Sequence, residues 1–135
     1  MYEEMSMEDT EKNTVLYVDD EKVNLELFRL NFARDYDVKI ALSAKEGFSL
    51  MKENNINVII SDLRMPIMNG IEFIKKIKQE YPDKICIILS AFIEPDFMLK
   101  TGDKDLIFSY IPKPWKKADV KKVIDKAMSI VNSEN

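Results

Sequence analysis

A chain of 135 residues, 46% hydrophobic and 33% charged, has enough apolar material for one domain with a core and too little length for two. With no histidine and one cysteine it cannot build a Ser-His-Asp triad, an imidazole metal site or an internal disulfide, so its chemistry must run on carboxylates, hydroxyls, lysines or a cofactor. A net charge of -4 argues against direct binding to nucleic acid, and no apolar run approaches the roughly 20 residues of a membrane helix.

Residues 1–13 read as a flexible acidic leader with no apolar signal core, and the lone Cys86 suits a reducing compartment, so the expected location is the cytoplasm. Thr14-Val15-Leu16-Tyr17-Val18 is a short apolar, β-branched run that stops at Asp19-Asp20, as a buried strand does. Residues 23–32 follow as a helix packed on a sheet, with Val23, Leu27, Leu30 and Asn31 at helical spacing and Leu25, Phe28 and Phe32 widening the apolar surface. The alternation repeats: a strand over 37–41, a helix over 44–53, a strand over 58–62 and a helix over 70–81. Residues 85–89 are the most continuous apolar run and read as a central strand. A short, poorly amphipathic helix is expected over 94–105 and a fifth strand over 106–111. The last helix sets Val120, Val123, Ile124, Ala127 and Val131 on one face, and residues 132–135 form a tail. Strands alternating with helices predict right-handed crossovers and a five-stranded parallel sheet covered on both faces, a three-layer α/β/α sandwich over 14–131.

Every predicted strand but the second ends on a reactive polar residue: Asp19 and Asp20, Asp62, Ser90, Lys113. In open parallel sheets those ends share one edge, where ligands bind. Singly, each has a plainer reading. Asp19, Asp20 and Ser90 suit helix caps, Asp62 a turn, and Lys113 a solvated surface. Together, three carboxylates at one edge would raise one another's pKa values unless a cation neutralised them, and an oxygen-only set selects a hard ion such as Mg²⁺.

These residues resemble the receiver domain of two-component response regulators over about 14–131. The signatures are Val18-Asp19-Asp20-Glu21, Ser61-Asp62-Leu63-Arg64-Met65-Pro66-Ile67-Met68-Asn69-Gly70, Ser90-Ala91 and Tyr110-Ile111-Pro112-Lys113-Pro114-Trp115, each at the end of the proper strand. The resemblance implies a flavodoxin-like fold with strand order 2-1-3-4-5. It implies a Mg²⁺-dependent reaction in which Asp62 accepts a phosphoryl group from a sensor histidine kinase or phosphotransfer protein. By the same likeness Asp20 ligates the metal most directly, Asp19 acts through water or orients the shell, and Asp62 and the backbone carbonyl of Arg64 give further oxygens. Lys113, on a cis Lys113-Pro114 bond, would pair with a phosphoryl oxygen, and the Ser90 hydroxyl would bond another. Tyr110 stands where the family has an aromatic switch, or else simply anchors the edge strand; Trp115 is either partner contact or core.

The implied output is a protein-interaction face on which a downstream effector binds or, once phosphorylated, two copies pair; the module is a signalling receiver rather than an enzyme on a separate substrate. Three other readings stand beside it. A phosphorylation-independent scaffold would keep the same residues. An aspartate-nucleophile phosphatase of the haloacid-dehalogenase type would start from a D-x-D motif, which Asp62 lacks, and a flavin carrier would need a Ser/Thr/Gly-rich loop after the first strand. The chain also departs from the family pattern. Gly102 stands about four residues farther from Lys113 than in compact members. Pro112 should end strand pairing early, and Asn69 replaces the commoner acidic residue. Residues 107–115 look like receivers often coupled to cyclic-dinucleotide phosphodiesterase outputs. Arg64 and Phe92, two positions beyond Asp62 and Ser90, should shield an acyl phosphate and slow its loss.

Overall fold

A computed structural model describes residues 13–91 and 106–133. In chain order these form β1 (Thr14–Val18), α1 (Lys22–Phe32), β2 (Asp37–Ala41), α2 (Ala44–Glu53), β3 (Val58–Ser61), α3 (Gly70–Glu80), β4 (Ile85–Ser90), β5 (Ser109–Pro112) and α4 (Lys117–Ser133). All strand pairs are parallel, and the sheet order is β2-β1-β3-β4-β5, as expected. The leader but for Asn13, Phe92, the helix expected over 94–105 with its Gly102, and the last two residues of the tail lie outside the described residues.

Alternation along the strands divides the core in two. Val15 and Tyr17 of β1 join Ile60, Ile87 and Leu89 under α1 and α4, which contribute Leu25, Phe28, Phe32, Val120 and Ile124. Leu16 and Val18 join Ile59 and Ile88 under α2 and α3, with Met51, Phe73, Ile74 and Ile77. Each fully buried aliphatic or aromatic side chain contributes about 1.5–3 kcal/mol, so the chain's apolar share suffices for both layers.

Two expectations need correction. On α1 the inward residues are Leu25, Phe28 and Phe32, while Val23, Leu27 and Leu30 are 69%, 49% and 78% exposed. Those two stripes lie on opposite sides of one helix, and periodicity alone gives their spacing without saying which turns inward. The stripe with two phenylalanines buries more area, and its rings stack with Tyr17 and with each other at centroid distances of 4.6 and 4.7 Å. The second correction concerns β5, which begins at Ser109 rather than 106 and does not stop pairing short of Pro112. Pro112 pairs with Ser90 in register, and the next amide, Lys113, donates to the Ser90 carbonyl at 3.0 Å. Alternate amides of a strand point to opposite sides, so the donor Pro112 lacks would have faced the open edge of the sheet, where proline is tolerated.

Candidate functional site

The parallel strands bring Asp19, Asp62, Ser90 and Lys113 to one edge, as their positions at the strand ends predict. Asp19 continues the face of β1 that carries Val15 and Tyr17 and is fully buried. Its Oδ2 accepts from the Tyr17 hydroxyl at 2.6 Å, from Lys113 Nζ at 2.8 Å and from Asn24 Nδ2 at 3.1 Å, and its Oδ1 accepts from the Glu21 amide at 2.9 Å. Neither Asp19 nor Asp20 caps α1, whose N-cap position is Glu21. Burial, and then the hydrogen bond to Asp19, push the Tyr17 phenol far above its ordinary range, so it remains a neutral donor.

Lys113 is no solvated lysine. Its side chain is 17% exposed, and besides Asp19 it stands 3.8 Å from Asp62 Oδ1. The Lys113-Pro114 bond is cis, as the resemblance implied. Asp62 is partly buried at the end of β3 and takes the Leu63 amide on Oδ1 at 2.9 Å. Burial raises its carboxyl above the usual range; Lys113 opposes that, Asp19 adds to it, and the Ser90 hydroxyl and Leu63 amide bonds lower it again without reversing the sign. Ser90 is fully buried at the end of β4, so its hydroxyl faces Asp62 rather than solvent.

The loop after Asp62 is held tightly. Gly70 donates to the Leu63 carbonyl at 2.8 Å, and Met68 donates to the Pro66 carbonyl at 2.8 Å around Ile67, whose φ is 73°. Asn69 caps α3 in a reciprocal box with Glu72, each side chain accepting from the other's amide. Arg64 lies in this loop, exposed. Tyr110 on β5 is half-buried against the α2–α3 layer, and Trp115 packs on Phe32 and Phe28 at 5.6 and 6.3 Å, joining the core while lining a groove of about 550 Å³ with Asn24, Leu27 and Lys117.

Asp19, Asp20 and Asp62 each offer an oxygen within 4.8 Å of the others, a set fit for a hard cation. Their surroundings divide the work. Asp19 has both oxygens occupied by four donors, whereas the exposed Asp20 carboxylate takes no hydrogen bond or ion pair among the described residues. Asp20 is thus the carboxylate of the three with both oxygens free of protein donors among the described residues, while Asp62 takes the Leu63 amide and the Ser90 hydroxyl and Asp19 holds Lys113. Tyr17 and Asn24 were not singled out from sequence as site residues. The available signal was period-two spacing, which puts Tyr17 on the face of Asp19, and a polar residue in the first turn of α1.

Residues 15–125 match the family model described as response regulator receiver domain. The chain belongs to that family. Among curated relatives, this receiver is 31% identical over 102 residues to the hydrogenase transcriptional regulatory protein HoxA of Cupriavidus necator, covering 76% of this chain and 21% of HoxA. It is 31% identical over 121 residues to a probable cyclic di-GMP phosphodiesterase of Vibrio cholerae serotype O1, covering 86% of this chain and 27% of that protein. The receiver therefore spans about a quarter of the length of these relatives. The crystal structure of the signal receiver domain of an HD domain-containing protein from Pseudomonas fluorescens Pf-5 shares the fold with a TM-score of 0.84 at 23% identity, covering 90% of this chain and 98% of that one. No helix among the described residues is long and apolar enough to cross a membrane.

Proposed function

We propose that this receiver takes a phosphoryl group onto Asp62 from the phosphohistidine of a sensor histidine kinase or phosphotransfer protein. The observation that carries the reading is the placement of Asp62 beside one cation and one hydroxyl: Lys113 Nζ at 3.8 Å and the Ser90 hydrogen bond. An Asp62 carboxylate oxygen attacks phosphorus, the donor's P–N bond breaks, and its electron pair returns to the leaving imidazole nitrogen. Asp19 holds Lys113 at the mouth of the site until the group arrives, and Lys113 and Ser90 then meet its charge. Mg²⁺, held by Asp20, Asp62 and the Arg64 carbonyl, would supply charge neutralisation between carboxylates and phosphate. The phosphorylated Asp62 would draw the Ser90 hydroxyl and, through it, shift Tyr110, altering the face presented to an effector or a second copy. The cytoplasm, read from the single thiol, goes with this role.

Labelling with acetyl phosphate and Mg²⁺, followed by hydroxylamine, tests the reading. Hydroxylamine should release all of the label, since it cleaves acyl phosphates and spares serine or threonine esters; label that resists it would place the modification elsewhere.

A further inference from the structure

We propose that Tyr17 is a positioning residue: its hydroxyl holds the buried Asp19 carboxylate so that Lys113 can leave Asp19 for a phosphoryl oxygen on Asp62. The inference rests on the function proposed for Asp62. Before modification Lys113 Nζ is 2.8 Å from Asp19 and 3.8 Å from Asp62, so the shared cation sits with Asp19. A phosphoryl group on Asp62 needs that cation. Asp19 is fully buried, and a carboxylate that loses its cation where water cannot replace it carries a heavy desolvation penalty.

Tyr17 makes the shortest of the four bonds to Asp19, at 2.6 Å. Its fully buried ring packs on Phe28 at 4.6 Å, which fixes the hydroxyl where it is. Three donors converge on Oδ2, one more than its lone pairs require, so Lys113 can depart and leave the oxygen satisfied by Tyr17 and Asn24. Phenylalanine would fill the same space in this apolar strand, so for packing alone the hydroxyl is superfluous. Without it, Asp19 would hold Lys113 more tightly and the phosphoryl group would have to compete for the cation.

The test compares the wild type with Tyr17→Phe, and with Tyr17→Met as a second variant lacking the hydroxyl. Three quantities are read: the rate of labelling by acetyl phosphate at saturating Mg²⁺, the affinity for beryllofluoride as a phosphoryl mimic, and the affinity for Mg²⁺ alone by calorimetry. Both variants should lose on the order of tenfold in labelling rate and beryllofluoride affinity, with Mg²⁺ affinity within about twofold of wild type, because the Tyr17 hydroxyl bonds Asp19 Oδ2, the oxygen shared with Lys113, rather than Asp20 or Asp62. Labelling and beryllofluoride binding equal to wild type would overturn the inference. So would a parallel fall in all three quantities together with the melting temperature, which marks general loosening. If the wild type itself takes no label, the proposed function and this inference fall together; if it is labelled and Tyr17→Phe matches it, only the role of Tyr17 falls.

Discussion

Gly70 lies so close to Asp62 that a Cβ at residue 70 would stand 2.2 Å from the Asp62 carbonyl oxygen. The start of α3 is thereby pressed against the main chain of Asp62, and Gly70 completes the contact with its hydrogen bond to Leu63. Backbone cannot give way as the tip of a side chain can. Gly70→Ala should cost about 1–3 kcal/mol in urea unfolding, in the range of other overpacked sites, and should slow labelling of Asp62 by at least about tenfold because a small displacement of the nucleophile is amplified in rate. A variant as stable and as reactive as wild type would contradict the close approach.

The burial of Asp62 comes at the expense of stability. Burial and Asp19 raise its carboxyl against the opposition of Lys113, so the folded state holds the Asp62 proton more tightly than the unfolded chain does. Such a group contributes stability below its unfolded pKa and loses it as pH rises through the folded one. At neutral pH, Asp62→Asn should therefore be more stable than wild type by about 1 kcal/mol, with the gain fading on acidification into the carboxylate range. Urea titrations of both proteins across that range check the sign.

Far from the site, the Tyr36 hydroxyl donates to Asp125 at 2.5 Å, tying the entry to β2 onto α4, and Lys121 donates to the same carboxylate at 2.8 Å. Burial alone would raise the Asp125 carboxyl, but the bonds from Lys121 and Tyr36 outweigh it and leave it below the usual range. A depressed carboxylate contributes stability above its unfolded pKa and loses it as pH falls through the folded one. Tyr36→Phe should cost about 1 kcal/mol at neutral pH and less in acid, with labelling of Asp62 unchanged.

Ile67 is fully exposed and held at φ 73°, a conformation β-branched residues rarely adopt. Its side chain buries nothing that a smaller residue would lose. Ile67→Asn should raise stability by about 1 kcal/mol, measured by the urea midpoint, and leave the labelling rate by acetyl phosphate within about twofold of wild type.

The strands and most helices were legible because their signals were local. Residues 37–41 and 44–53 have the predicted bounds, and the order of the sheet follows the resemblance carried by the strand-end motifs. The convergence of Asp19, Asp62, Ser90 and Lys113 was legible for the same reason, since strand ends in a parallel sheet meet at one edge. What was not legible depended on three-dimensional competition. Two apolar stripes of α1 compete for one interior, and only packing against Tyr17 and Trp115 decides for Phe28 and Phe32. Four donors converge on Asp19 from β1, the first residues of α1 with its N-cap, and the end of β5, and no sequence spacing announces that convergence. The box between Asn69 and Glu72 is a different case, since an Asn followed three residues later by Glu is itself a local signal.

The most direct measurement is the intact mass of the wild type and of Asp62→Asn after incubation with acetyl phosphate, with Mg²⁺ and with a chelator. The wild type should gain a single phosphoryl adduct with Mg²⁺ and lose it with chelator, and Asp62→Asn should gain none. An adduct of the same yield on Asp62→Asn, or no adduct on the wild type while a control receiver is labelled, would contradict the assignment of Asp62 as the phosphoacceptor.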